Sequence, residues 1–147
     1  MVFITLAKMR ILGLDIGDKF IGLALSDESE IIATGLETIK RTRTEDDVKK
    51  IKTIIEKHDI KEIVYGIPKD LYGGIGLQGE KTLKFVEHLK KYIEIQMNPW
   101  DERFTTKEAE RILIEEGIRR EKRKQMRDRL AAVLILQGYL DSKKCTV

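Results

Sequence analysis

The sequence predicts an α/β fold: a mixed five-stranded sheet, three antiparallel strands followed by parallel ones, with helices on both faces. Three observations carry that expectation. The chain opens with apolar runs joined by short turns. A helical period then sets in and alternates with further short apolar runs. No repeat and no Ser- or Pro-rich linker divides the chain. Residues 9–147 therefore read as one domain and residues 1–8 as a leader, with Met9 an alternative start.

The first strand is Arg10 to Gly17, apolar on both faces as a central strand is. Gly17-Asp18-Lys19 makes a tight turn into a second strand, Phe20 to Ser26. A third is expected from about Glu30 to Ile39. Thr44 with Asp47 then has the look of a helix cap and its acid, and Val48, Ile51, Ile54 and Ile55 follow at helical spacing, ending near His58. Ile60 to Gly66 reads as a fourth strand, and Gly66 to Gln78 as a glycine-rich loop. A helix next carries Leu83, Phe85, Val86 and Leu89 inward. Ile93 to Met97 is expected as the fifth strand, ended by Pro99, with Trp100 to Arg103 as its exit loop. A helix from Thr105 to about Gly117 and a last helix from Met126 to about Leu140 complete the chain.

Composition narrows the classes. Charged residues are 36% of the 147 and hydrophobic residues 41%, which fits a soluble protein with an ionised surface. The single Cys145 excludes an internal disulfide and a thiolate metal cage. No run approaches the ~18 apolar residues of a membrane span, so no membrane role is expected and the default compartment is the cytoplasm. The net charge of +3 is modest, but the positive charge is concentrated: Arg119, Arg120, Lys122, Arg123 and Lys124 stand against Glu121 alone between Ile118 and Gln125. Such a run is commonly a solvated linker; beside a cluster of acids it is also a phosphate-backbone contact.

Those acids stand at the ends of elements. Asp15 leaves a strand whose two faces are apolar, where an ionised carboxylate without a partner costs several kcal/mol or more. Asp101 and Glu102 leave the fifth strand. Asp128 is expected in the first turn of the last helix, on one ridge with Ala132, Ile135 and Tyr139, and the small Ala131 and Ala132 let that helix approach the sheet. Taken singly, Asp15 is also a turn former and Asp128 a dipole-friendly acid near a helix start. Together they form an oxygen-donor set of the kind Mg²⁺ takes up with water and substrate phosphate. His58 and His88 fall on or at the end of helices and read as structural.

Four segments carry a family resemblance: Gly13-Leu14-Asp15-Ile16-Gly17 through Gly22-Leu23-Ala24-Leu25-Ser26-Asp27; Gly66-Ile67-Pro68 with Gly73, Gly76 and Gln78; Asp101-Glu102-Arg103-Phe104-Thr105-Thr106; and Asp128 followed by Ala131-Ala132 and Ile135 to Leu140. In this order, over nearly the whole chain, they resemble the RuvX/YqgF family of the ribonuclease H-like superfamily. The resemblance implies a ribonuclease H-like fold and a nuclease dependent on Mg²⁺ or Mn²⁺. Asp15, Glu102 and Asp128 match its acidic positions and are the expected catalytic and metal-binding residues. Lys19, Lys69, Arg103, Arg119, Arg120, Lys122, Arg123 and Lys124 are the candidate nucleic-acid contacts. The chain departs from the family pattern at Phe20, often Arg; at Asp70 and Tyr72, commonly Asn and Asp; and at Arg127, usually small and apolar.

The resemblance implies two substrates: the 5′ end of precursor 16S rRNA, the favoured reading, with ribosomal particles as a partner, or a branched DNA junction, as in Holliday junction resolvases. A junction favours a homodimer, whereas an RNA substrate is compatible with a monomer. A non-catalytic RNA-binding protein is a third reading. Asp15-Ile16-Gly17 also resembles the first phosphate loop of actin-like ATPases and sugar kinases, which need two such domains where this chain has one.

Overall fold

The computed structural model describes residues 9–69, 72–102 and 105–144. Strand β1 (Arg10–Ile16) lies in the middle of the sheet because its neighbours cover both of its edges. β2 (Phe20–Ser26) pairs with it antiparallel, opposing Leu14 to Leu23 and Asp15 to Gly22. On the other edge β5 (Ile60–Ile67) runs parallel to β1, with Leu14 opposite Tyr65. β6 (Gln96–Asp101) runs parallel to β5 at the margin. An edge strand accommodates Pro99, which has no N–H to give to a ladder. The fifth strand thus begins later than the apolar run Ile93 to Met97 implies and continues through Pro99. Ile93 is used instead to close the preceding helix, its N–H bonded to the Leu89 carbonyl at 2.9 Å.

The expected third strand is broken in two. β3 (Ala33–Gly35) and β4 (Ile39–Lys40) both pair with β2. Ala24 opposes Gly35, so an unbroken ladder would set Ile21 against Thr38; it opposes Ile39 instead. One extra residue is accommodated between the pieces, as in a β-bulge. The two short strands share one sheet edge, which keeps the five-position mixed sheet.

Side-chain alternation divides the core. Leu12, Leu14 and Ile16 face α1 (Thr44–His58) and α2 (Leu77–Tyr92), joining Ile51, Ile63, Phe85 and Leu89 in the larger apolar cluster. Ile11, Ala24 and Val64 face α4 (Arg120–Lys144) and pack with Ala132, Ile135, Leu136 and Leu140. α3 (Thr105–Glu115) packs on α4. Helices therefore cover both faces, and the odd-numbered β1 positions, Asp15 included, point toward α4.

Two helix starts differ from the sequence expectation. Thr44 is the first residue of α1 rather than its cap, and no side chain caps the helix. Asp47 is fully buried and reaches back to the preceding chain, accepting from Thr42 N–H at 3.1 Å, the Thr42 hydroxyl at 3.0 Å and Arg41 Nε at 3.0 Å. The last helix begins at Arg120, not Met126, so the basic run is helical rather than a linker. Arg and Lys are good helix formers, and Arg123 ties the segment down by donating to Glu110 at 3.1 Å and to the Ile118 carbonyl at 3.0 Å.

Candidate active site

The site forms where α4 crosses the carboxyl ends of β1 and β5, and glycines make the crossing possible. A Cβ on Gly22 would lie 1.9 Å from the Asp128 carbonyl oxygen, and one on Gly13 would lie 2.7 Å from Leu136 Cβ. Side chains there would lift α4 off the sheet. Gly22 is the residue opposite Asp15 on β2. On the other flank Gly66 leaves room for Glu102, whose Oε2 would be 2.7 Å from a Cβ at that position. Asp15 thus lies in a trough with glycines on the neighbouring strands and α4 above.

Glu102 follows β6 directly, and its N–H bonds the Ile67 carbonyl at 3.2 Å. Both Asp15 and Glu102 are 7% exposed. The two carboxyls lie close enough to perturb each other, so ionising both is costly. Burial pushes both above the usual carboxylate range. The Asp128 charge raises Asp15 further, and Asp15, Asp101 and Asp128 do the same to Glu102. Asp128 lies about two turns into α4 rather than in its first turn, so the helix dipole does not explain it. Its own value is also raised, by burial, against the pull of Arg127, whose Nε lies 3.8 Å away. Two buried polar atoms at this place have no hydrogen-bond partner among the described residues: Glu102 Oε2 and Arg127 Nε.

The donor chemistry fits a divalent cation of the Mg²⁺ type: hard carboxylate oxygens, one of them unpartnered, and mutual repulsion that a cation relieves. Among the described residues no group of three or more His, Cys, Asp or Glu side chains is drawn together as a metal site. Asp15 and Glu102, with Asp128 nearby, are the candidate donors, and the remaining positions of a cation would fall to water and phosphate.

A family model for RuvX, described as a Holliday junction resolvase, matches residues 9–142. The chain belongs to the RuvX family. A relative in Thermoanaerobacter pseudethanolicus is 55% identical over 137 residues, covering 92% of this chain and 99% of that protein, and carries the provisional name pre-16S rRNA nuclease. Among solved structures, the Fowlpox virus resolvase bound to Holliday junction DNA superposes with a TM-score of 0.58 at 14% identity, covering 92% of this chain and 99% of that one. RuvC of T. thermophilus, also with a junction, gives 0.56 at 16% identity, covering 94% and 98%. These likenesses establish a ribonuclease H-like fold for this RuvX member.

The candidate nucleic-acid contacts divide. Lys19 is exposed on the β1–β2 turn, one residue beyond Asp18. Lys69 is half-buried, with its Nζ 4.0 Å from Asp101 beside Glu102. Arg119, Arg120 and Lys122 are exposed at the start of α4. Arg123 is turned to structural use through Glu110. Arg103 and the Lys124 side chain lie outside the described residues, as does Asp70. Sequence reasoning missed Gly22 and Gly66 as the floor of the site. A glycine inside an apolar strand was the available signal, since it marks close backbone approach.

Proposed function

We propose that this RuvX protein is a divalent-metal-dependent nuclease that hydrolyses phosphodiester bonds and processes the 5′ end of precursor 16S rRNA. The single observation that carries the reading is the pair of buried, mutually perturbing carboxyls Asp15 and Glu102, with Asp128 alongside. A protein does not gain stability by burying carboxyls against each other; as ligands they are explained. Asp15, central in the trough, anchors Mg²⁺ or Mn²⁺, and Glu102 and Asp128 complete the protein's share. When bound, such ions activate a water and stabilise the leaving oxygen of a phosphodiester. The chain's own part is to fix the carboxylates on a rigid strand and helix, to give up a proton as cation binds, and to hold the substrate backbone with Lys19, Lys69 and the exposed arginines of α4. The provisional name of the 55%-identical relative supports the RNA substrate. Ribosomal particles in the cytoplasm are the natural partner of such an enzyme.

The family description favours a second reading, a junction resolvase. One experiment separates them. End-labelled precursor rRNA and a four-way DNA junction are incubated with Mg²⁺ or Mn²⁺ and with wild type or Asp15→Asn. RNA cutting that requires metal and is lost in the variant supports the proposal. Paired symmetric nicks in the junction, from a dimer and with RNA spared, move the function to resolvase. RNA binding with no cutting of either substrate leaves the non-catalytic reading.

A further inference from the structure

A second concave site lies on the opposite face of β1 from the carboxylates. It has a volume of about 380 Å³ and opens between the start of α1, the outer face of α2 and the β1–β2 turn. Its apolar base is Ile16 and Phe85, both buried. Arg41 lies over the Phe85 ring at 4.8 Å and is fixed from two further sides, donating to the Gly17 carbonyl at 2.8 Å and to Asp47 at 3.0 Å. Its side chain nevertheless remains 21% exposed. The α2 wall supplies Lys81, Lys84 and His88, whose spacing of three and four residues puts them on one helical face. Among the described residues Asp18 is the single carboxylate in the lining, and it lies 3.5 Å from Lys81. Lys84 and His88 have no hydrogen-bond or ion-pair partner among the described residues.

We infer that this cleft binds a backbone phosphate of the nucleic-acid strand being cut, at a nucleotide flanking the reacting bond. The inference rests on the nuclease reading above and adds a subsite to it. Lysines on a helix are usually only solvated, and Lys81, Lys84, Lys90 and Lys91 on this helix are all exposed. The cleft differs by its concavity, its apolar base and its immobilised guanidinium, features that suit a phosphate lying beside a sugar. Its place relative to the carboxylates also matters. Asp15 and Ile16 are consecutive in β1, so their side chains point to opposite faces of the same strand end. The cleft is tied to that end by Arg41 on the Gly17 carbonyl and by Gln78 Nε2 on the Ile16 carbonyl at 3.4 Å. A strand crossing the carboxyl edge of the sheet meets the carboxylates on one side and the cleft on the other.

The test compares two matched charge removals on one helix, the cleft pair Lys81→Gln/Lys84→Gln and the outer pair Lys90→Gln/Lys91→Gln. Single-stranded RNA of about twelve nucleotides, within the usual span of single-strand sites, is bound to each full-length protein in EDTA across a salt series. Two lost phosphate contacts reduce the salt slope by about 1.4 and weaken binding about tenfold near 0.1 M salt. That result for the cleft pair, with the outer pair like wild type, is expected. Equal effects from the two pairs, or none from the cleft pair, overturn the inference, and so does a mononucleotide that competes as well as the longer RNA. Wild-type cutting with Mg²⁺ is scored in parallel. Cutting without the binding difference removes the cleft and leaves the nuclease; the binding difference without cutting removes the nuclease and leaves the cleft.

Discussion

The molecule buries carboxylates in two contrasting ways. Glu62 and Asp47 are matched. Glu62 accepts from Asn98 and from the Tyr139 hydroxyl, and Lys143 lies 3.5 Å away over the Tyr139 ring. Asp47 accepts from Arg41 and from both donors of Thr42. Asp15 and Glu102, equally buried, face each other, and one Glu102 oxygen has no partner. Burial alone therefore does not mark a functional acid in this fold. The unmatched pair is what the proposed metal site rests on, because a ligand from outside would complete it.

The contrast predicts opposite responses to neutralisation. The largest effect is on activity: Asp15→Asn lowers metal-dependent cleavage by more than about 100-fold, beyond the 10–100-fold typical of groups that merely support a ligand. Asp47→Ala acts on stability instead. It leaves Arg41 and Thr42 without their acceptor and lowers the unfolding free energy by about 3 kcal/mol in urea titrations. Glu62→Gln keeps the shape but weakens three contacts, for about 1.5 kcal/mol by the same measurement. The metal-free Asp15→Asn protein loses no stability and gains on the order of 1 kcal/mol, as expected where function opposes stability. A loss there comparable to that of Asp47→Ala would erase the distinction.

pH sharpens the same comparison. Asp15 and Glu102 have values raised in the folded state, so the folded protein holds more protons than the unfolded chain above the ordinary carboxylate range. Stability conferred by that protonation is present at low pH and declines as pH rises through the raised values. Without metal, the unfolding free energy falls from about pH 4 up through the raised values of about 7 for Asp15 and about 9 for Glu102, by at most about 1.4 kcal/mol per pH unit per proton. Saturating Mg²⁺ flattens the decline, because the ion takes the place of the proton. Asp15→Asn removes the Asp15 share without metal and leaves the part that burial of Glu102 causes. A slope unchanged in the variant assigns the titration to other groups.

Much of this site was legible before the structure. The apolar run around Asp15 announced a central strand, and Ala131 and Ala132 announced a close helix. What the sequence hid was context. The apolar run Ile93 to Met97 suggested a strand, but Ile93 closes α2 and the strand extends through Pro99, which only its edge position permits. The basic run looked like a linker because a dense charge run is commonly solvated, although Arg and Lys are good helix formers, and Arg123 ties it to Glu110 thirteen residues back. Thr44 looked like the helix cap and Asp47 like its acid, yet the partners of Asp47 are Arg41 and Thr42, which lie before the helix. Local pattern located the acids; long-range packing decided which had partners.

The measurement closest to the central claim is a calorimetric titration of Mn²⁺ into the metal-free protein near pH 7, in two buffers of different ionisation enthalpy. The account predicts binding by wild type with release of a proton, displaced from the raised Asp15 and Glu102 carboxyls, and loss of both binding and release in Asp15→Asn, while Glu62→Gln binds as wild type does. Equal binding by wild type and Asp15→Asn, or binding lost equally in Glu62→Gln, would contradict it.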